Sequence, residues 1–262
     1  MTAHHIRFEV NDEGIGLITI DRPEKRNAMT YAMLNAFIGA VGEAGKDDRV
    51  RVLIITGAGG AFCAGTDLAD LASVPGESRG VRGEAHERGV WWPITSCPKP
   101  VIGAIDGVAV GMGAEFTSQC DVRIVSDRSR FAWNFAHRGL VPDTGAGSWL
   151  LPRLIGPSRA LRLLYSGDFL SAAEAKEIGY ANELVAPEAL MEAAYAEARR
   201  YLNSSPFSIR HIKDLVWHGL ERDVSAHMQA HVEALQAAFK SADHKEGVAA
   251  FLERRPAKFV GR

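Results

Sequence analysis

The sequence predicts an α/β fold that ends in a helical C-terminal subdomain. Apolar runs of strand length alternate with segments of helical periodicity over the first 200 residues. Two of the strands run directly into glycine-rich turns that open helices, and from residue 187 onward the pattern is helical throughout. We therefore expect a core at 1–200 that holds the functional site and a helical subdomain at 201–262.

In the N-terminal half, residues 6–20 contain two alternating apolar runs around a turn, which predicts a β-hairpin. Thr30 is a candidate N-cap for a helix that ends near residue 44. Continuous apolar runs predict buried strands, and a stretch rich in glycine, proline and charge predicts a surface loop. These elements are strands over 50–56, 101–105 and 108–110, the loop over 73–83 and a helix over 84–95.

The C-terminal half begins with two short strands and a long loop over 135–147. Ser171 and Glu174 have the spacing of a capping box, which predicts the start of a helix. The remaining predicted elements are strands over 123–126, 130–133 and 183–185 and helices over 148–155, 158–165, 188–203, 206–219, 224–240 and 245–254.

Composition excludes several classes of protein. The net charge of the 262 residues is −2, so no basic field favours nucleic acid, and no apolar run is long enough to span a membrane. The three cysteines form no C-x-x-C pair, which argues against a zinc site or a disulfide framework, and we expect no metal. Their odd number and the absence of an N-terminal signal segment favour a cytoplasmic protein.

The residues 98–121 contain the most informative pattern. A buried strand is followed by a turn at Asp106 and then by Gly111-Met112-Gly113, where the pattern becomes helical. Such a strand-to-helix junction exposes main-chain N–H groups, which suit a phosphate or a developing oxyanion. A second junction of this type surrounds Ala64, and if the fold brings the two together, their N–H groups can converge on one carbonyl oxygen.

Carboxylates accompany these junctions. Glu115 lies in the first helical turn after Met112, where it could transfer protons or merely complement the helix dipole. Asp143 follows Pro142 in the long loop and is either a second proton-transfer group or the N-cap of the next helix. Asp67 has a similar structural alternative, as an acid at a helix N-terminus.

Three ordered motifs in this chain resemble those of the crotonase superfamily, which contains enoyl-CoA hydratases and isomerases. They are FCAGTDL at 62–68, the stretch 98–121 and GLVPD at 139–143. The resemblance implies a crotonase-like spiral of ββα units, a C-terminal helical subdomain for trimerisation, and a homotrimer or a hexamer built as a dimer of trimers. It also implies an acyl-CoA or enoyl-CoA thioester as substrate, with no cofactor besides that coenzyme A.

The same resemblance assigns roles to residues. The N–H groups of Ala64 and Met112 would form the oxyanion hole, although the family usually has glycine in place of Met112. Glu115 matches the first glutamate of the hydratases, whose second glutamate is replaced here by Phe135. Asp143 matches the carboxylate of several family isomerases and of the haloaryl-CoA dehalogenases. The implied CoA-binding residues are Lys25, Arg26, Ala28, Ala64, Asp67 and Leu68, with Phe251 and Arg254 from a neighbouring subunit.

These assignments predict proton transfer on an enoyl-CoA thioester, by double-bond isomerisation, hydration or both. An alternative is a lyase or dehalogenase acting on an aromatic acyl-CoA, because aromatic residues could line its acyl pocket: Trp91, Trp92, Trp133 and Phe135. A third possibility is a non-enzymatic RNA-binding or scaffold member of the family, which the net charge does not favour.

Overall fold

The computed structural model of the chain describes residues 2–3, 5–73 and 92–262. Trp91, residues 84–91 of the predicted helix and nearly all of the predicted loop at 73–83 lie outside the described residues. In the described part, strands and helices alternate as far as Leu190–Leu202, and only helices follow to residue 253. The predicted α/β class with a helical C-terminal part is therefore confirmed.

Ten strands in the described ranges form two sheets. The large sheet contains, in spatial order, β1 (Thr2–Ala3), β2 (Ile6–Val10), β3 (Ile15–Ile20), β4 (Val52–Gly57), β5 (Val101–Ile105), β7 (Val122–Ser126) and β10 (Glu183–Val185). The small sheet contains β6 (Val108–Val110), β8 (Arg130–Ala132) and β9 (Leu170–Ser171). From β3 to β10 the neighbours in the large sheet are parallel, and β5 is buried at every residue, as its continuous apolar run requires.

The chain winds through these sheets as a spiral. β5 lies in the large sheet, β6 lies in the small sheet, and a helix follows; β7 and β8 repeat this path one step further along. β4 precedes them in the large sheet, and a parallel bridge joins Cys63 to Ala109 of β6. Equivalent points of successive turns are therefore neighbours, and this places the two glycine-rich junctions side by side.

The helices occupy the positions that their capping residues predict. Thr30 accepts from the N–H of Met33, and Ser171 and Glu174 form the predicted capping box. The helix predicted over 148–155 is divided into two, because Pro152 lacks an N–H group. The helices are α1 (Tyr31–Lys46), α2 (Leu68–Ser73), α3 (Pro93–Ser96), α4 (Met112–Gln119), α5 (Ala146–Trp149), α6 (Leu151–Ile155), α7 (Pro157–Ser166), α8 (Ala172–Glu177), α9 (Leu190–Leu202), α10 (Pro206–Gly219), α11 (Val224–Lys240) and α12 (Ala242–Glu253).

Helices cover the large sheet and enclose its apolar strands. The buried stripe Leu190, Ala194 and Ala198 of α9 packs against isoleucines of β4, β5 and β7. The helix α1 contributes Met33, Phe37 and Val41 to the larger core cluster. The helix α9 includes residues 200 and 201, on both sides of the predicted domain boundary, and it packs on the sheet. The boundary at 200/201 stays a prediction.

The C-terminal helices join the core at a polar contact. Lys213 of α10 lies 2.8 Å from the Asp121 carboxylate and donates to two main-chain carbonyl groups, and the indole N–H of Trp217 donates to the same carboxylate. Apolar side chains on these helices are nevertheless exposed: Ile212, Val216, Val224, Met228, Val232, Leu235 and Phe239.

Within the described ranges, no helix combines the length and apolarity that a membrane span needs.

Candidate active site

The fold brings the two glycine-rich junctions together, which is the condition that the sequence analysis left open. Gly113, in the first turn of α4, lies against Cys63 so closely that an added Cβ would be 2.2 Å from the Cys63 carbonyl oxygen. A Cβ on Gly65 would lie 2.8 Å from the Val110 carbonyl oxygen and 3.7 Å from the Met112 nitrogen. Glycine is required at both positions, because no side chain fits between the two loops.

The structure contradicts the prediction that Ala64 supplies an oxyanion donor. The Ala64 N–H donates to the carbonyl oxygen of Arg26 at 3.0 Å, so it is already bonded. Thr66 instead pairs with Met29 in a parallel bridge. The Met29 N–H donates to the carbonyl oxygen of Gly65, and the Met29 carbonyl oxygen accepts from the N–H of Asp67. This pairing directs the Thr66 N–H away from Met29, and the Thr66 N–H has no acceptor among the described residues.

The N–H of Met112 is available, and its role as an oxyanion donor stays a prediction. Met112 is the first residue of α4, so its N–H has no acceptor within the helix, and none is found elsewhere in the described ranges. Gly111 precedes it with φ of 55°, which turns the chain sharply from β6 into the helix. The Met112 side chain is accommodated in the core, with 3% of its surface exposed.

Glu115 lies one helical turn further on and is fully buried. One of its carboxyl oxygens accepts from the N–H of Thr144 and the other from the N–H of Gly147, each at 2.7 Å. Gly147 must be glycine, because a Cβ there would lie 2.8 Å from the Glu115 carboxyl group. Glu115 therefore does more than complement its own helix dipole: it fixes the loop that contains Asp143.

Burial and the neighbouring charge of Asp143 raise the pKa of Glu115 to about 8, while the hydrogen bonds from Thr144 and Gly147 act in the opposite direction. At neutral pH the carboxyl group of Glu115 is consequently protonated in a larger fraction of molecules than that of an ordinary glutamate. A protonated Glu115 can donate a hydrogen bond to Asp143, whose side chain contacts it.

Asp143 lies in a tight turn in which the N–H of Gly145 donates to the carbonyl oxygen of Pro142 at 3.2 Å. It is exposed, in contrast to Glu115, so it can meet a ligand. The N-cap of α5 is Gly145, which excludes the structural alternative that Asp143 caps this helix. The structure therefore brings the two predicted carboxyl groups together, one buried and one exposed.

Of the four predicted pocket aromatics, Trp92 and Phe135 lie near the groups described above, Trp133 is fully buried in the core, and Trp91 is outside the described residues. Phe135 is 7% exposed, and its ring would lie 3.8 Å from a Cβ on Gly111. The half-buried Trp92 donates from its indole N–H to the carbonyl oxygen of Thr144 at 2.9 Å. Phe135, which stands where the family hydratases have their second glutamate, is thus an apolar residue.

The predicted CoA residues near the N-terminus lie in one region. Lys25 and Arg26 are exposed, Ala28 is half-buried, and their loop contacts the first junction through the bond between Arg26 and Ala64. Leu68 is 57% exposed. A coenzyme A ligand could contact these residues together, which stays a prediction.

The Asp67 carboxylate is already engaged. It forms an ion pair with Arg22 at 2.7 Å and accepts from the N–H groups of Ala69 and Asp70, so the helix-terminal alternative describes it correctly. These bonds hold the pKa of Asp67 below its usual range, with the Arg22 hydrogen bond as the largest cause. A contact of Asp67 with adenine stays a prediction, as do the roles of the exposed Phe251 and Arg254.

Sequence reasoning missed residues that act through main-chain groups. Thr66, Thr144 and Gly147 provide N–H donors, which any residue type has, so their identities give little indication. Arg22 was missed because its partner Asp67 is 45 residues away.

The described residues include no group of three or more His, Cys, Asp or Glu side chains that could hold a metal ion.

Together these groups define a class of enzyme, one that stabilises a negatively charged oxygen with main-chain N–H groups and moves a proton with an adjacent carboxyl group. The comparisons agree. A sequence model of the Enoyl-CoA hydratase/isomerase family matches residues 10–262. The chain therefore belongs to this family and is an enzyme of this type.

Relatives span the full chain. A probable enoyl-CoA hydratase of Rhodobacter capsulatus is 35% identical and covers 100% of both chains. The 1,2-epoxyphenylacetyl-CoA isomerase of Escherichia coli is 34% identical over 96% of this chain and 97% of that protein. The crystal structure of an enoyl-CoA hydratase from Bacillus anthracis matches with a TM-score of 0.91 and 31% identity, covering 99% of this chain and 100% of that one. The crotonase fold is thereby confirmed.

Proposed function

We propose that this enzyme isomerises the double bond of an enoyl-CoA thioester, with Asp143 as the proton shuttle and Glu115 as its partner. The N–H groups of Met112 and Thr66 bind the thioester oxygen. The observation on which the proposal depends is the contact between exposed Asp143 and buried Glu115.

The chemistry begins at the α carbon of a 3-enoyl-CoA. The Asp143 carboxylate removes the α proton, and the electron pair moves onto the thioester oxygen to form a dienolate. The two N–H groups stabilise this negative charge, and removal of one such donor typically costs about 3 kcal/mol of transition-state stabilisation. Asp143 then returns the proton to the γ carbon, which gives the 2-enoyl-CoA.

Glu115 supports this step as a neutral acid. Its pKa of about 8 favours the protonated form of Glu115 at neutral pH, and the protonated group can donate a hydrogen bond to Asp143. Hydration would need a water held by two groups that exchange protons with it. Phe135 cannot do this, so we expect hydration to be weaker than isomerisation.

An aromatic acyl-CoA is a second candidate substrate. Trp92 and Phe135 both lie beside the catalytic residues, and an aromatic ring could pack against them. The epoxyphenylacetyl-CoA isomerase among the relatives makes this class a natural member of the substrate panel.

We further propose that the enzyme is a homotrimer or a dimer of trimers. The exposed apolar residues of α10 and α11 would be buried between subunits, and Phe251 and Arg254 would complete a neighbour's CoA site. Light scattering at micromolar concentration tests this proposal, which a monomer would contradict. A cytoplasmic location stays a prediction.

The function is tested with a panel of 3-enoyl, 2-enoyl and aromatic acyl-CoA thioesters, with products identified by mass spectrometry. Isomerisation leaves the mass unchanged, whereas hydration adds one water. We expect conversion of a 3-enoyl-CoA without a change in mass to be the fastest reaction. Faster addition of water to a 2-enoyl-CoA, with no isomerisation, would refute the proposal.

A further inference from the structure

We propose that Trp92 is a positioning residue that fixes the orientation of Asp143 through the main chain of Thr144. The inference rests on the proposed role of Asp143 as the proton shuttle. It gives Trp92 a function beyond that of an acyl-pocket wall, the role that the sequence predicted.

The hydrogen bonds around Thr144 carry the inference. Asp143 and Thr144 are the two central residues of the turn that the Gly145-to-Pro142 bond closes. The carbonyl oxygen of Thr144 accepts from the indole N–H of Trp92 at 2.9 Å, and the N–H of Thr144 donates to Glu115 at 2.7 Å. The peptide groups on both sides of Thr144 are therefore fixed by side chains from other elements.

The two bonds to Glu115 hold the N–H groups of Thr144 and Gly147, but neither involves the peptide group between Thr144 and Gly145. The peptide group between Thr144 and Gly145 makes two hydrogen bonds: its N–H closes the turn at Pro142, and its carbonyl oxygen accepts from Trp92, which joins the turn to another element. Gly145, with φ of 76°, provides little conformational restraint of its own. The Asp143 side chain is exposed and contacts Glu115, so the orientation of the turn decides how its carboxylate faces Glu115 and a ligand. Trp92 therefore limits the rotation that would move Asp143 away from its productive position.

Trp92 is itself well supported. It precedes α3, where the N–H of Ser96 donates to its carbonyl oxygen, and Pro93 restricts the backbone directly after it. Ile94 is fully buried in the larger core cluster, and its carbonyl oxygen accepts from Lys213. The donor of the Trp92–Thr144 bond thus stands on a rigid part of the core, as precise positioning of a catalytic group requires.

The test compares three variants that each lose one indole N–H. Trp92→Phe keeps an aromatic ring, and replacement of Trp92 by β-(3-benzothienyl)alanine keeps nearly the full shape, with sulfur in place of the N–H. Trp217→Phe is the matched control, because its indole N–H also bonds to an acceptor, the Asp121 carboxylate, and not to the turn that contains Asp143. Measurements are kcat and KM for isomerisation, the pH profile of kcat, and the melting temperature.

Both Trp92 variants should lower kcat roughly tenfold, because small displacements of catalytic groups have effects of this order or larger. We expect KM to change less than about threefold, the pH profile of kcat to shift, and Trp217→Phe to change only the melting temperature. The inference would be overturned if the benzothienylalanine variant had the kcat and the pH profile of wild type. It would also be overturned if the Trp92 variants changed KM alone.

Asp143→Asn, measured in parallel, separates this inference from the proposed function. Near-normal isomerisation by that variant would refute the shuttle and the Trp92 inference with it. Loss of isomerisation in Asp143→Asn combined with unaffected Trp92 variants would refute only the role of Trp92.

Discussion

Replacing Glu115 by glutamine should change how the stability of the enzyme depends on pH. The pKa of Glu115 is raised from an ordinary value of 4.5 to about 8, chiefly by burial. Between these values the folded state binds a proton that the unfolded state does not, so the free energy of unfolding falls as pH rises. The raised pKa therefore provides stability that is fully present below about pH 4.5 and lost as pH approaches 8.

The size of the effect follows from the pKa shift. Each pH unit within the window costs the wild type about 1.4 kcal/mol, so the loss between pH 5.5 and 7.5 is roughly 3 kcal/mol. Glu115→Gln has no titrating proton and should lack this contribution. Its amide also places N–H₂ against a main-chain N–H donor, because both Glu115 oxygens accept such bonds, which lowers stability equally at every pH.

The assay is urea unfolding at pH 5.5, 6.5 and 7.5, at fixed ionic strength and protein concentration. The difference in unfolding free energy between wild type and Glu115→Gln should shrink by about 1.4 kcal/mol per pH unit. Glu13→Gln is the matched control: hydrogen bonding to Arg199 lowers the pKa of this exposed glutamate, so its removal should not alter the pH slope in this window. Parallel curves for wild type and Glu115→Gln would refute a raised pKa at Glu115.

Other predictions concern the junctions and the ligand. Gly113→Ala should abolish most activity and lower the melting temperature, because its Cβ would meet the Cys63 carbonyl oxygen at 2.2 Å, whereas Gly39→Ala, with nothing within 4 Å, should fold and act normally; equal behaviour of the two variants would contradict the close approach. Asn27→Ala removes two hydrogen bonds to main-chain carbonyl groups at the first junction and should cost about 2–4 kcal/mol in urea unfolding, while a loss below about 1 kcal/mol would refute this role. Acetyl-CoA should bind more weakly as salt increases, because cationic contacts with phosphates are screened; calorimetry that detects no binding at low salt would contradict the predicted CoA site.

Elements set by local chemistry were predictable from the sequence. The Thr30 N-cap, the Ser171 capping box and the two strand-to-helix junctions depend on residues within a few positions of each other. The break between α5 and α6 was missed, although Pro152 gave the local indication. Local patterns therefore fixed the elements of this chain better than their ends.

The sequence indicated the two carboxyl side chains and the Met112 N–H, but it assigned the other main-chain donor to the wrong residue. The error at Ala64 arose because φ of 95° at Gly65 and the distant partner Arg26 decide which N–H of this loop is free. The two interpretations of Asp143 stayed open because the choice depends on Glu115, which bonds to the loop from 29 residues away. The Trp92 bond to Thr144 joins positions 52 residues apart, beyond any local pattern.

The central claim is that Asp143 shuttles the proton while Glu115 assists. Single-turnover isomerisation of a saturating 3-enoyl-CoA by Asp143→Asn, beside wild type and Glu115→Gln, tests it most directly. We predict that Asp143→Asn lowers the rate by roughly two orders of magnitude or more, the usual scale for loss of a proton-transfer group, and that Glu115→Gln lowers it less. Near-normal isomerisation by Asp143→Asn, together with a reaction abolished by Glu115→Gln, would contradict the account and make Glu115 the base.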